Sequence, residues 1–311
     1  MFVAQVDSGV PTRYFIDPIN KTASAVTFDS NSGTSVNSPA YGFWDSGLTR
    51  APQVDTSNFS STPNDVYLID SSGAELWRIG PSAHLNGWAL DKGSHGRISP
   101  DGKVIQVVLW DGVDERVSFI DETGAYISAG PRVRGLFGDL VPVQDSDGGT
   151  TRWMYSLSDF TMKVLDVTTG TLIGSIARTV VVPNGLYPVG NGKVAGVLPN
   201  SGALVLVVYD AYALTETTVP VVPTGVSFAG FFFGTTQING VICGSYTTSS
   251  GEYRIISIDL SGNILFDNDY LAAYVGAAIT GAPVMMAVLG TTVAPVVPPF
   301  WQSFNTTKEI L

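Results

Sequence analysis

The chain is short of the residues that build most catalytic centres. Its 311 residues include one cysteine and two histidines. A single thiol excludes a disulfide framework, and Cys243, between Ile242 and Gly244 in an apolar stretch, reads as a buried, inert thiol. His84 and His95, with Asn86, Asp91 and Lys92 nearby, are too sparse for a His-rich metal site. Charge of either sign is scarce: Asp, Glu, Lys and Arg make up 14% of residues, against about a quarter in ordinary globular chains. Mean hydropathy is +0.22. Only 16 residues are Lys or Arg, against 27 Asp or Glu, for a net charge of −11. Nucleic-acid binding needs a basic track that displaces counterions, so sequence-specific nucleic-acid binding is not expected.

Two further absences limit the reading. No segment keeps an apolar period of 3.6 residues between caps, so no long helix is expected. Residues 270–307 carry no charge, but Gly276, Gly281, Pro283, Gly290, Pro295, Pro298 and Pro299 cut them into runs too short for a membrane span of about 20 residues. Met1 to Pro11 has neither a basic start nor an apolar core, so no signal peptide and no membrane insertion are expected.

Against these absences stands one recurrent signature, an apolar run ending in Asp and followed by a turn. It closes on Asp17, Asp70, Asp121, Asp166, Asp210 and Asp259, at intervals of 53, 51, 45, 44 and 49 residues. The residues before each Asp are mostly β-branched, aliphatic or aromatic and suit a half-buried strand. The Asp side chain accepts backbone N–H groups within the turn. A residue tolerant of positive φ then closes it: Gly73, Gly124 and Gly262 three positions on, Gly170 four positions on, and Asn20 in the first repeat. The fifth repeat, Asp210-Ala211-Tyr212-Ala213, lacks such a residue and is expected to turn differently. Second strands are expected over 75–79, 125–128, 171–176, 216–221 and 263–266. Inner strands are expected around the Asp101-Gly102 and Asn191-Gly192 turns and over 228–234 and 240–246.

A period in this range with several strands per unit marks one four-stranded blade per repeat. The expected fold is all-β: a six-bladed β-propeller of four-stranded antiparallel blades. Six units of about 48 residues need about 290, so residues 1–290 are read as a single propeller and 291–311 as an extended tail. The chain begins partway through a unit, so a strand within Pro283 to Leu289 is expected to complete the blade started by Phe2 to Val6 and Arg13 to Ile16.

Three motifs resemble known sites. Asp145-Ser146-Asp147-Gly148-Gly149 begins like a Ca²⁺ loop but has no closing Glu, and reads as a hairpin turn. Pro183-Asn184-Gly185-Leu186 followed by Gly192-Lys193 resembles the metal-ligating Asn motif of six-bladed gluconolactonase- and paraoxonase-type lactonases. That resemblance implies a metal-dependent hydrolase with Asn184 in the channel, but the family's N-terminal Glu has no counterpart before Glu75. Asp70 to Trp77 resembles the Asp-box hairpin of sialidases, which is structural in those enzymes.

Through its hairpin signature the chain resembles the six-bladed β-propeller superfamily along its whole length, and within it the propellers of bacteriophage virions, of the tail nozzle and hub type. The resemblance implies a non-enzymatic structural protein of the tail or head–tail junction, without metal or cofactor. Its partners would be other virion proteins and copies of itself, and it would be located in the virion after assembly in the host cytoplasm. Large aromatics anchor interfaces and prolines lower the entropy lost on docking, which makes Phe300, Trp301 and Phe304 in the tail the candidate interface residues. The rival readings are the lactonase-like hydrolase and a soluble bacterial propeller that binds proteins.

Overall fold

A computed structural model of the chain describes residues 2–7, 11–17, 22–27, 50–54, 66–70, 74–80, 84–85, 87–90, 97–133, 140–156, 160–180, 186–200, 203–221, 233–237, 241–247, 253–268 and 284–285. Among the described residues there is no helix, and all regular structure is strand. The first sheet holds β1 (Phe2–Asp7), β2 (Pro11–Asp17) and β3 (Thr22–Thr27). The second holds β4 (Arg50–Val54), β5 (Val66–Asp70) and β6 (Glu75–Ile79). The third is built from β7 (His84–Leu85), β8 (Trp88–Leu90), β9 (Arg97–Ile98), β10 (Val104–Trp110), β11 (Glu115–Asp121) and β12 (Tyr126–Ala129).

The next three sheets are regular four-strand meanders. The fourth runs β13 (Leu140–Val143), β14 (Arg152–Ser156), β15 (Thr161–Asp166), β16 (Leu172–Ala177). The fifth runs β17 (Tyr187–Gly190), β18 (Lys193–Asn200), β19 (Ala203–Asp210), β20 (Thr215–Val221). The sixth runs β21 (Phe233–Gln237), β22 (Val241–Thr247), β23 (Tyr253–Asp259), β24 (Ile264–Asn268). All pairings are antiparallel, as strands joined by short turns require. A final strand, β25 (Val284–Met285), lies beside β1, with Ala4 opposite Met285 and Gln5 opposite Val284.

Strand alternation explains why the chain has so little charge. Successive side chains point to opposite faces, and here both faces of the middle strands are covered. On β10, Ile105, Val107 and Leu109 pack with Val66 and Leu68 of the second sheet. Val104 and Val108 on the same strand pack instead with Leu140, Trp153 and Leu165 of the fourth. The Phe119 and Trp153 rings meet there at 5.5 Å and 51°, an arrangement worth about 1 kcal/mol beyond area burial. Like seams join the fourth sheet to the fifth through Val141, Ile176, Leu186 and Tyr209, and the fifth to the sixth through Val197, Leu206, Ile242 and Ile258. The inner strands follow one another, β9 against β13, β13 against β17, β17 against β21 and β21 against β25. The buried Arg97 of β9 donates from Nη1 to the Leu186 carbonyl at 3.2 Å, linking the third sheet directly to the fifth.

The third sheet departs from the regular pattern. Both β9 and the β7–β8 hairpin lie along the same edge of β10, Ile98 opposite Ile105 and Leu90 opposite Leu109. The hairpin turns at Gly87, whose φ of +80° suits glycine.

Candidate interaction surface

Each signature Asp ends the strand next to the outermost one of its sheet, on β2, β5, β11, β15, β19 and β23. The geometry of the described hairpins follows from the Asp side chain. Asp121 Oδ1 accepts from the N–H groups of Thr123 at 2.8 Å and Ala125 at 3.0 Å, and Gly124 at φ +88° closes the turn. Asp259 does the same with Ser261 and Asn263, closed by Gly262 at φ +82°. A bulge follows in each outer ladder, as expected when a residue in the left-handed region ends a short hairpin. Asp70 accepts from Ala74 N–H at 3.0 Å. Asp166 accepts from Thr169, and Gly170 at φ +72° closes a wider turn. In the fifth repeat Asp210 accepts from Tyr212 and Ala213, and a positive φ of 55° falls on Leu214, four positions after the Asp like Gly170. The side chain of Asp17 lies outside the described residues.

The hairpins after Asp121, Asp166, Asp210 and Asp259 each dock on the outermost strand of the preceding sheet. Trp77 Nε1 on β6 donates to the Glu122 carbonyl at 2.9 Å, and Gly124 sits over the Trp77 ring. Ser128 Oγ on β12 donates to the Val167 carbonyl. A Cβ on Gly170 would stand 2.0 Å from the Ala129 carbonyl oxygen. Leu214 covers Gly174 of β16, and Gly262 lies against Val219 and Pro220 of β20.

The fourth-to-fifth junction is rich in polar contacts. Arg152 donates to the Ala211 carbonyl at 2.8 Å and stacks at 3.6 Å over the Tyr212 ring. The Tyr212 hydroxyl donates to Asp145 Oδ1 at 2.5 Å. Burial, then this bond to a carboxylate, raises the Tyr212 pKa. The Asp121 pKa is lowered, first by the Thr123 hydroxyl that donates to it, and also by the turn N–H groups.

The turns joining the first two strands of a sheet lie at this same end, because strand direction alternates. They include Ser99 to Val104, Asp145 to Gly149, and Asn191-Gly192 with φ of 52° and 75°. The hairpin end is therefore acidic, carrying Asp101, Asp121, Glu122, Asp145, Asp147, Asp166, Asp210 and Asp259. Arg50 pairs with Glu122 at 3.2 Å and Lys193 with Asp210 at 4.0 Å. Among the described residues, five of the seven exposed large apolar side chains also gather here: Leu76, Tyr126, Leu172, Ile173 and Tyr212. These five were not singled out by motif reasoning. For Leu76, Tyr126 and Leu172 the signal is an apolar residue five or six positions after the Asp, where the outer strand leaves its turn; Ile173 follows Leu172, and Tyr212 stands within the turn itself, two positions after Asp210. The other two, Val113 and Phe160, lie at the opposite end.

Two motif candidates lie at this same end, the Asp70 hairpin and the Asp145 turn. Asp145 to Gly149 forms the turn between β13 and β14, with Asp145 Oδ2 accepting from Thr151. Among the described residues no three His, Cys, Asp or Glu side chains gather as metal ligands. The side chains of His84 and Cys243 lie outside the described residues, as do Asn86, Asp91, Lys92, His95, Asn184 and the tail residues Phe300, Trp301 and Phe304.

No protein-family model matches the sequence, and no curated protein does. Solved structures do match. The chain is similar to the WD40 β-propeller domain of Doa1 at 14% identity, over 85% of this chain and 77% of that one, with a TM-score of 0.50. The fold is a β-propeller. A second similar structure is TolB from Acinetobacter baumannii, at 14% identity and a TM-score of 0.51 over 85% of this chain. The chain spans 62% of the TolB structure, less than two thirds. At such identity the likeness concerns fold alone, and each four-stranded antiparallel sheet is one blade.

Proposed function

We propose that this chain is a non-enzymatic assembly protein whose partners are other proteins, and that its assembly is a bacteriophage virion, at the tail or the head–tail junction. The observation that carries the reading is the hairpin end, where exposed apolar side chains sit among acidic turns. Such a surface, rimmed by polar groups, fits protein contact. Scarce charge and a positive mean hydropathy point the same way.

In this reading residues 1–290 form one ring of six blades, and the β25–β1 pair clasps the first blade from both ends of the chain. Residues 291–311 then reach a neighbouring subunit through Phe300, Trp301 and Phe304.

Sedimentation of the full chain tests the assembly reading, with Phe300→Ala/Trp301→Ala alongside. The wild type is expected to associate, and the double variant to keep its strand circular dichroism while associating less. Equal association would remove the tail from the interface. An antibody to the chain should label purified phage particles, and unlabelled particles would sink the virion assignment. Stoichiometric divalent metal in the purified protein would favour the lactonase-like alternative instead.

A further inference from the structure

The outermost strands β3, β6, β12, β16, β20 and β24 each have a neighbour on one side only within their sheets. Such an edge presents backbone N–H and C=O groups to any extended strand unless charge, proline or shortness prevents pairing. Four of these edges are blunted in that way. On β6, Glu75 and Arg78 form an ion pair at 2.6 Å. The β12 strand has four residues, β20 carries Glu216 and Pro220, and β24 carries Asp267. On β3, Thr-Ala-Ser-Ala-Val-Thr is uncharged but has no large aliphatic beyond Val26.

The exception is β16. Its six residues, Leu-Ile-Gly-Ser-Ile-Ala, include neither charge nor proline. Leu172 is 47% exposed and Ile173 39%. Tyr126 of the blade before and Tyr212 of the blade after are also exposed at the same end.

We infer that the edge of β16 is a strand-pairing surface for a second copy of this chain, a contact that rests on the assembly reading above. Charge selects the occupant. At a net charge of −11 two copies repel over most approaches, whereas β16 laid antiparallel on β16 brings no charges from the two strands together. A two-fold axis through Ser175 keeps like faces together, with Ile173 opposite Ala177 of the second copy. Ile173, Ser175 and Ala177 share one exposed face of the strand, so this register continues the sheet with Ser175 opposite Ser175, a hydroxyl pair, and no charge between the two strands. A charged partner strand would instead lay its charges against aliphatic side chains. One strand pair buries less than the ~1,000 Å² of a stable interface. The contact is therefore concentration-dependent in solution, extended by Tyr126 and Tyr212, and strengthened where copies are tethered in an assembly.

The test is sedimentation velocity on the full chain from about 5 to about 200 μM, a range suited to micromolar association. Self-association is expected, and salt that screens the net charge should strengthen it. Ile173→Lys and Ser175→Lys change exposed positions, so both variants should fold, and each should weaken association about tenfold, the equivalent of 1.4 kcal/mol. Leu76→Lys, at an exposed apolar position two blades away, should associate like the wild type. Ser175→Cys should form a disulfide-linked dimer on oxidation, while the wild type with Cys243 alone should not.

If Ile173→Lys associates like the wild type, this strand is not the contact and the assembly reading survives through another surface. If Ile173→Lys does not fold, Ser175→Lys decides by the same criterion. A wild-type chain that stays single at every concentration and salt overturns the second-copy proposal, and particle labelling then judges the assembly reading separately.

Discussion

The hairpins after Asp166 and Asp210 place a residue in the left-handed region at the same offset, yet one uses glycine and the other leucine. The backbone demand is alike in both; the neighbouring blade differs. Gly170 approaches the Ala129 carbonyl so closely that any side chain would strike backbone. Leu214 faces Gly174, whose missing side chain leaves room for the isobutyl group, and packs with the seam between the fourth and fifth blades. Leucine at positive φ costs of order 1 kcal/mol, which its apolar packing offsets. One hairpin is held by close backbone approach and the other by a side chain filling a gap.

The largest expected effect breaks the first kind of junction. Gly170→Ala puts a Cβ 2.0 Å from a carbonyl oxygen at φ +72°. With strain and clash both on backbone, the loss should be about 3–5 kcal/mol in denaturant unfolding. A loss under about 1 kcal/mol would mean that the two blades slide apart easily.

The second kind should yield more readily. A Cβ on Gly174 meets the Leu214 Cδ1 at 2.5 Å, the end of a flexible side chain, so Gly174→Ala should cost about 1–3 kcal/mol. Leu214→Ala costs packing by itself but should recover part of that loss in the double variant. Additive losses would show that the two residues are not coupled.

A smaller effect distinguishes the turns from their docking. Asp121→Ala removes the carboxylate bonds to Thr123 and Ala125 and should cost about 1 kcal/mol at neutral pH. The folded-state pKa of Asp121 lies below its ordinary value of 3.8, so its contribution is present above that value and is lost as pH falls through the lowered one. The gap between wild type and variant should close in acid, and a gap independent of pH would assign the loss to the turn backbone alone.

The smallest effect concerns Tyr212, which is 51% exposed. Tyr212→Phe removes one hydrogen bond to Asp145 and should cost about 0.5 kcal/mol. Its pKa is raised above 10.0, so the contribution is present below that pH and fades as pH rises through the folded value. Ultraviolet titration should show one tyrosine ionising late that the variant lacks.

The comparison also explains what was legible in the residues. Asp70, Asp121, Asp166 and Asp259 could be read as turns because their partners lie within five positions, inside the reach of local chemistry. The apolar runs before them could be read as strands because both faces are buried. The positive φ at Leu214 was not legible, since leucine is a poor sign of that conformation and the cause, Gly174, is forty residues away. The β7–β8 hairpin escaped too, because strands of two and three residues leave no alternation to detect.

By itself the sequence determined the period, the turn positions and the all-β class, because turn and strand preferences act over a few residues. Only the tertiary structure decided which glycines face carbonyls, how Asp145, Arg152 and Tyr212 meet across two blades, and that β16 is left as an uncharged edge. Those outcomes depend on how one blade stacks on the next. Stacking joins residues about one repeat or more apart, which no short-range pattern specifies.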